Sequence, residues 1–243
     1  MKAALLALLL LCSLVAQAET QRYEWRSAHD PDGIGKFYLG REIAHIMGPG
    51  GILWLERTER ETEEQPQLVI DALEIEPGQA IADLGAGSGY YSFRIAPLVG
   101  PTGKVFAIDI EPAMLEVIAQ RASRERVANV VTVRSTARDP NLAPHSVDLL
   151  FMVDVYHELE YPYEVMTKVR EALKPGGHVA LIEYRAEDPE VLIKPLHKMS
   201  QRQVRREMQA AGFRHVKTVR TLPLQHLIIF ESDGRNGSPL PRG

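Results

Sequence analysis

Short apolar runs alternate with amphipathic stretches along most of this chain. Between the runs, apolar residues recur at spacings of three and four, as after Pro112 and after Pro162, which is typical of helices that bury one face. Seven runs have the length and composition of strands: Ala80–Leu84, Val105–Asp109, Val130–Val133, Ser146–Val153, His178–Tyr184, His215–Thr221 and Leu224–Phe230. Strands that alternate with helices predict an α/β fold with a doubly wound, mostly parallel sheet.

The last part of the chain has two further local signals. Ser200 and Gln203 form a capping-box pattern, so we predict that the last helix begins at Ser200, and it should stop at Gly212. Only three residues, 221–223, connect the last two runs, and parallel neighbours need a crossover of about a dozen residues or more. The last two strands are therefore predicted to be antiparallel.

The run Ala80–Leu84 ends in an acid and then breaks into alternate glycines, Gly85, Gly87 and Gly89. Glycine at every second position lets the main chain approach a ligand closely. A dinucleotide-binding turn needs its third glycine three places after the second, where this chain has Tyr90, so a nucleotide-dependent oxidoreductase is disfavoured. The alternative is a tight connection that binds no ligand.

A second acid, Asp109, ends the next strand, 20 residues past Gly89. A second parallel strand would deliver this carboxylate beside the glycine turn, where it could accept both hydroxyls of a ribose. As an alternative, Asp109 caps the following helix, which Pro112 suits at its first position.

Three motifs of the chain resemble those of class I S-adenosylmethionine-dependent methyltransferases. They are the turn from Asp83 to Gly89, the phrase Ala107–Leu115 around Asp109, and Leu-Lys-Pro-Gly-Gly at 173–177, within a resemblance that covers about residues 66–230. The resemblance implies a seven-stranded, Rossmann-like methyltransferase fold with an antiparallel last strand, and S-adenosyl-L-methionine as the cofactor.

The resemblance also implies a set of cofactor-binding residues. Asp83 would take the methionine ammonium, the backbone of Gly85, Gly87 and Gly89 with the helix start its carboxylate, Asp109 the ribose and Ile110 the adenine face. Where this family usually has Gly-Asp-Ala, the chain has Ser135-Thr136-Ala137, so adenine contact there would depend on the Ala137 backbone or on Asp139. Asp154, at the end of the fourth strand, is a further predicted cofactor contact.

Candidate catalytic residues follow the fourth strand. His157 could take a proton near neutral pH, and Glu158 could orient it or serve in its place. A role as pocket wall, or a histidine that caps a backbone carbonyl, is the alternative. The segment Lys194–Met199 is expected on the same side of the sheet, where it could hold an acceptor or form a solvated linker. Because the histidines show no zinc-like spacing, no metal is predicted, and His226 is expected to be a hydrogen-bonded core residue.

The N-terminus carries a separate signal. Lys2 precedes an apolar run from Ala3 to Val15, which is too short to span a bilayer, and Ala16-Gln17-Ala18 resembles a signal-peptidase site. We therefore predict a cleaved signal peptide over 1–18 and export to the periplasm, with a cytoplasmic location if that interpretation fails. Cleavage would remove Cys12, the only cysteine, and leave no integral membrane segment.

The remaining boundaries follow from composition. Residues 19–65 form an extension that could serve as a lid over the cofactor turn, 66–232 the methyltransferase domain, and 233–243 a disordered tail. The chain has 28 basic and 32 acidic residues, a net charge of −4, which does not indicate nucleic-acid binding. The predicted function is methyl transfer to a small-molecule acceptor of unidentified class. The alternative is an exported, noncatalytic protein that retains the fold and binds S-adenosylmethionine or a nucleoside. The oligomeric state cannot be predicted from these features.

Overall fold

The computed structural model describes residues 22–234, so the predicted signal peptide and most of the predicted tail lie outside the described residues. The chain divides into two compact units, with the boundary between His45 and Ile46, inside the predicted extension. The N-terminal unit contains the antiparallel strands β1 (Tyr23–Trp25), β2 (Gly33–Tyr38) and β3 (Arg41–Ala44), in the order β1-β2-β3.

The larger unit begins with a 3₁₀ turn (Pro49–Gly51) and three short helices, α1 (Ile52–Leu55), α2 (Arg60–Glu63) and α3 (Pro66–Ala72). Strands and helices then alternate. The strands are β4 (Ala80–Leu84), β5 (Lys104–Asp109), β6 (Val130–Arg134), β7 (Val147–Val153), β8 (Leu173–Tyr184), β9 (Phe213–Val219) and β10 (Gln225–Ser232). The helices are α4 (Tyr90–Val99), α5 (Pro112–Glu125), α6 (Pro162–Ala172) and α7 (Gln201–Ala210). Among residues 22–234, no helix combines the length and the apolar character needed to cross a bilayer.

These strands form one seven-stranded sheet in the order β6-β5-β4-β7-β8-β10-β9. The five strands from β6 to β8 are parallel, and β10 is antiparallel to both of its neighbours. The predicted fold class, with its antiparallel last strand, is confirmed. Asp83 pairs with Ala107 on one side and Phe151 on the other, so the carboxyl ends of β4, β5 and β7 meet at one edge of the sheet.

Both faces of the sheet are buried. Successive residues of a strand point to opposite faces, and Ile81 and Leu149 accordingly lie in one apolar cluster whereas Ala82 and Leu150 lie in the other. Coverage on both faces explains why the central strands read as continuous apolar runs.

Two local predictions differ from the structure. β8 begins at Leu173 and not at His178, because Leu173 already pairs with Val147, and the register shift after Val147 accommodates the Pro-Gly-Gly segment. At the start of α7, Ser200 Oγ accepts a hydrogen bond from the Gln203 N–H at 3.2 Å, as predicted. The Gln203 amide, however, donates to Glu207 Oε1 at 2.8 Å.

Candidate functional site

The glycine turn connects β4 to α4 in a conformation that suits glycine. Gly85, Gly87 and Gly89 have φ angles of 76°, 55° and 81°, in the left-handed region that L side chains disfavour. The N–H groups of Gly85 and Ala86 both donate to the Ile108 carbonyl, at 2.8 and 2.9 Å. This pair of bonds ties the turn to the end of β5, so the two predicted cofactor motifs are held together by the main chain.

Side chains of the protein itself occupy part of the space that these glycines leave open. A Cβ on Gly85 would lie 2.5 Å from the Val155 methyl groups, and one on Gly87 would lie 2.7 Å from Leu55 Cδ1. The adjacent Ser88 hydroxyl donates to Glu56. The segment around α1 therefore lies over the turn, and it belongs to the C-terminal half of the predicted extension.

Asp83 is deeply buried at the end of β4, where its carboxylate accepts a hydrogen bond from the Ser92 hydroxyl at 2.6 Å. Burial, with a smaller contribution from the nearby Asp109, raises the pKa of Asp83 to about 7 against the lowering effect of the Ser92 hydroxyl. The structure thus brings the two predicted acids to one place, and it makes Asp83 a group whose charge depends on what lies beside it.

Asp109 is buried at the end of β5 and accepts two backbone hydrogen bonds. Its Oδ2 accepts from the Gly87 N–H at 2.8 Å and its Oδ1 from the Glu111 N–H at 2.9 Å. Burial raises the pKa of Asp109 despite these bonds. The Asp109 carboxylate thus binds both the turn that precedes α5 and the glycine turn. Each oxygen keeps a lone pair, so ribose binding remains compatible with both.

Ile110 and Ala137 flank this acid and are half-buried. Ser135 donates its N–H to the Asp109 carbonyl at 3.0 Å, which attaches the loop containing Ala137 to the end of β5. The loop is closed by Thr136, whose hydroxyl accepts from the Asp139 N–H at 3.0 Å. Thr136 therefore stabilises the loop in the position where the resemblance leads one to expect an acid.

Asp154 follows β7 with a φ of 54° and lies in a cluster of buried carboxyl groups. Its Oδ2 accepts from Gln225 Nε2 at 2.9 Å, whereas its buried Oδ1 finds no hydrogen-bond partner among the described residues. Burial and the charges of Glu64 and Glu183 raise the pKa of Asp154 well above its usual range. A cation placed at this oxygen would satisfy it.

Glu64, which faces this cluster, belongs to a second network that covers the sheet edge. It accepts from Arg60 Nε at 2.9 Å, from Arg57 Nη2 at 2.7 Å and from the Tyr184 hydroxyl at 2.9 Å. Burial alone would raise the pKa of Glu64, but the charge of Arg60 and the hydrogen bonds from Arg60, Arg57 and Tyr184 together outweigh it and lower the pKa. The Arg60 guanidinium also lies 4.2 Å from the centre of the Tyr90 ring at the start of α4.

His157 and Glu158 lie in a 3₁₀ turn, Tyr156–Glu158, directly after β7. The His157 ring is buried, with Nδ1 2.7 Å from Glu183 Oε2 and Nε2 3.1 Å from His197 Nδ1. Glu158 Oε1 lies 3.8 Å from both His157 Nε2 and His197 Nδ1, and burial raises the pKa of Glu158 to about 7. The two predicted catalytic residues are thus brought together with a third, His197, from the segment 194–199.

The structure bears on two expectations about histidines. No metal site was predicted, yet His157, Glu158 and His197 offer three ligand atoms within 4.8 Å of one another. His226 is a fully buried core residue as predicted, but neither ring nitrogen has a hydrogen-bond partner among residues 22–234. Burial lowers the pKa of His226, which favours the neutral form of the ring.

The residues at this edge fit the expected cofactor. Asp109 keeps lone pairs for a diol, the orphaned Asp154 Oδ1 faces a site where positive charge is favoured, and Asp83 gains its charge most readily beside a cation. S-adenosylmethionine carries a ribose, an ammonium and a sulfonium. Four amides of the turn, those of Gly85, Ala86, Gly87 and Gly89, already donate within the protein, so their predicted contact with the methionine carboxylate stays a prediction.

Comparison with known proteins identifies the class. The chain matches the family described as "Methyltransferase domain" over residues 75–222, and it belongs to this family. It has the fold of a class I S-adenosylmethionine-dependent methyltransferase, as the resemblance implied, and S-adenosylmethionine is the cofactor of that class.

Individual relatives agree on the class and differ in their acceptors. The chain is similar to the ubiquinone/menaquinone biosynthesis C-methyltransferase UbiE of Cupriavidus metallidurans, 28% identical over 51% of this chain and 49% of that protein. It is similar to an arsenite methyltransferase of Halobacterium salinarum, 29% identical over 43% of this chain and 27% of that protein. A methyltransferase structure from Aquifex aeolicus shares the fold, with a TM-score of 0.71 and 24% identity over 76% of this chain and 98% of that one. The chain spans about half or less of the curated relatives it matches.

Several residues of the site were not singled out from the sequence. Arg60 and Glu64 belong to the run of charged residues 56–64 in the predicted extension, and both are buried. Glu183 lies inside an apolar strand, and an acid in such a run is the signal that could have found it. Tyr184 and Gln225 carried no comparable signal.

Proposed function

We propose that this protein transfers the methyl group of S-adenosylmethionine to a small-molecule acceptor bound in front of the carboxyl end of β7. The proposal depends on one observation: the glycine turn with its two acids and the buried His157–Glu183 pair lie at the carboxyl ends of four successive strands of one sheet, β5, β4, β7 and β8. Ligands of such sheets bind beyond the carboxyl ends of the strands.

The cofactor would be held by residues of four strand ends. Asp109 accepts the ribose hydroxyls, Ile110 packs against the adenine, and the Ala137 backbone meets the adenine edge. Asp83 and Asp154 provide negative charge for the methionine ammonium and the sulfonium, and Gly85, Gly87 and Gly89 keep the main chain bare beneath them. When bound, S-adenosylmethionine supplies a methyl group that is already activated toward a nucleophile.

The protein's own contribution to the chemistry is positioning and proton transfer. Holding two reactants in line can lower a barrier by roughly 7 to 11 kcal/mol. The short contact with Glu183 Oε2 orients the His157 ring and favours the tautomer with its proton on Nδ1, so Nε2 is the atom that can take a proton from the acceptor. Glu158, with a pKa of about 7, is a second proton acceptor beside it.

The acceptor class is supported by relatives and by charge. The relatives include a ubiquinone/menaquinone biosynthesis C-methyltransferase and an arsenite methyltransferase, and both names indicate small-molecule chemistry. The net charge of −4 does not favour a polyanionic acceptor.

A labelling experiment tests this function. The purified protein is incubated with S-adenosylmethionine labelled in the methyl group and with separated small-molecule, protein and nucleic-acid fractions of cell extract. We expect label in the small-molecule fraction, loss of transfer in Asp109→Asn, and retained transfer in Glu111→Gln, which changes a half-exposed neighbour. Label in the nucleic-acid or protein fraction alone would contradict the proposed acceptor class.

A noncatalytic binder is the second candidate. The observation that favours it is the cover over the turn, where Leu55 and Val155 fill the space above Gly87 and Gly85. Isothermal titration with S-adenosylhomocysteine separates the two candidates from a protein that has lost the site. Binding without transfer to any fraction would favour the binder, and no heat at high micromolar ligand would exclude both.

A further inference from the structure

Three potential metal ligands converge from two loops that follow adjacent strands. His157 and Glu158 come from the turn after β7, and His197 comes from a second 3₁₀ turn, Pro195–His197, in the connection between β8 and α7. The side chains of His157 and Glu158 are 2% and 9% exposed and that of His197 is 24% exposed, so the cluster is open to solvent on one side only. Such shielding is unlike that of an ordinary surface histidine pair.

The distances within this cluster suit a shared ion. Two histidine nitrogens bound to one tetrahedral ion at about 2.0–2.1 Å lie roughly 3.3 Å apart. His157 Nε2 and His197 Nδ1 are 3.1 Å apart. Glu158 Oε1 is equidistant from both at 3.8 Å, while its Oε2 accepts the Met47 N–H at 3.2 Å. One carboxylate oxygen is thus anchored by the backbone, and the other faces the nitrogen pair.

A contact with Glu183 orients His157, the first of the three potential metal ligands. His157 Nδ1 lies 2.7 Å from Oε2 of the fully buried Glu183, whose Oε1 accepts the Tyr156 N–H at 2.9 Å. The carboxylate places the proton on Nδ1 and directs the Nε2 lone pair toward His197. A carboxylate behind a histidine ligand is the usual support of metal-binding histidines, because it fixes the ring and raises its basicity.

We propose that His157 Nε2, His197 Nδ1 and Glu158 Oε1 bind one divalent transition-metal ion of the zinc type. Two imidazole nitrogens and one carboxylate oxygen are ligands that such ions accept, and three protein ligands leave a coordination position open. Glu183 is a positioning residue that acts through His157.

The consequence for the reaction depends on the proposed function. An acceptor with a thiol or hydroxyl group would occupy the open position as its anion, and the proton released would pass to solvent. The lone pair of that sulfur or oxygen then forms the new bond to the methyl carbon as the carbon–sulfur bond of the cofactor breaks. In the metal-bound protein, the ion would replace His157 in generating the nucleophile.

Metal binding can be measured without cofactor or acceptor. The full-length mature protein, free of any histidine tag, is dialysed against a chelator and titrated with Zn(II) in competition with a chromophoric chelator. In parallel it is titrated with Co(II), whose visible d–d absorption reports ligand geometry. We expect one equivalent of each ion and Co(II) bands of a site of low coordination number. Glu183→Gln should weaken binding about 10- to 100-fold, and His197→Ala should weaken it more.

His145→Ala is the matched control, because His145 precedes β7, at the end of that strand opposite to His157. It should bind Zn(II) as the wild type does, and thermal unfolding of each variant shows that it is folded. Absence of a bound equivalent in the wild type, or unchanged affinity in folded His197→Ala, would overturn the inference and leave a hydrogen bond between the two rings as the explanation. If the metal-binding proposal fails in this way, methyl transfer that persists after chelation would show that the proposed methyltransferase function still holds.

Discussion

Asp83 combines deep burial with a hydrogen bond from Ser92, and its ionisation is therefore sensitive to both pH and ligand. The pKa of Asp83 is about 3.8 in the unfolded chain and about 7 in the folded protein. Between these values the unfolded state binds fewer protons, so this residue makes stability fall as pH rises. The ammonium group of a ligand beside Asp83 would stabilise the carboxylate and lower its pKa, so that the proton is released.

Replacement of Asp83 by Asn should remove this pH dependence. The variant should be more stable than the wild type by roughly 2 kcal/mol at pH 5 and by roughly 4 kcal/mol at pH 8. Urea unfolding at both pH values measures the difference, and Asp71→Asn, which changes a surface acid of α3, is the control. Equal pH slopes for wild type and Asp83→Asn would contradict the assigned pKa.

His157 is expected to affect turnover and not cofactor affinity. His157→Gln keeps a polar side chain but cannot take the proton, so the rate of transfer should fall about 10²- to 10⁴-fold while the Kd for S-adenosylhomocysteine stays within twofold. Rapid-quench kinetics and isothermal titration measure the two quantities, with His178→Gln as a matched change outside the cluster. Unchanged turnover would assign His157 to the wall of the pocket.

At the scale of elements, the Glu64 side chain connects the segment 52–64 to the sheet edge. Glu64 receives hydrogen bonds from Arg57 and Arg60 within the segment and from Tyr184 of β8. Leu55 and Glu56 then contact the glycine turn. The segment therefore has the position of a cover on the turn, and Glu64 is its anchor.

Removal of the charge at this anchor should loosen the segment. Glu64→Gln removes the anionic partner of the buried Arg60 guanidinium and one of the two carboxylates that contact the half-buried Arg57, a change that typically costs about 3–5 kcal/mol. The neighbouring Glu63→Gln removes an exposed partner of Arg57 and should cost less than about 1 kcal/mol. Limited trypsin digestion at Arg57 and urea unfolding report the two effects. Equal trypsin cleavage rates in both variants would show that Glu64 does not anchor the segment.

The two acids and the glycine turn share one edge because β4, β5 and β7 are parallel and in register. Parallel strands end together, so residues far apart in sequence meet at their carboxyl ends. The same geometry places the short turns after β7 and β8 side by side, which brings the predicted catalytic pair to the segment 194–199.

At the scale of the whole molecule, we propose that residues 1–18 direct export and are then removed. These residues lie outside the described part of the chain, and the proposal stands on Lys2, the apolar run and the Ala16-Gln17-Ala18 site. Fractionation of cells and mass spectrometry of the purified protein test it. We expect a periplasmic protein that begins at Glu19 and lacks cysteine. Met1 retained on a cytoplasmic protein would contradict it.

Export would also shape the function of the whole protein. S-adenosylmethionine is made in the cytosol, so an exported enzyme needs the cofactor on the other side of a membrane, or acts before export. The noncatalytic alternative avoids this requirement, which is why transfer activity and location should be measured in the same cells.

The sequence by itself determined the class of fold and the position of the candidate cofactor residues at strand ends, because both depend on local patterns. Strand and helix periods are set by neighbouring residues, and the acids at the strand ends, Asp83 and Asp109, follow directly from the runs they terminate. The antiparallel pairing of β9 and β10 followed from the shortness of their connection. Each of these inferences needs only a few consecutive residues and the geometry of a sheet.

Only the tertiary structure decided what the site contains beyond those motifs. His197 meets His157 across 40 residues, and Glu64 meets Tyr184 across 120, through contacts that no local spacing encodes. The charge run around Arg60 carries no local sign of burial, because the partners of its residues come from β8 and from the start of α4. The physical reason is that sequence spacing sets direction and period within an element, whereas the packing of loops at the sheet edge sets which side chains face one another.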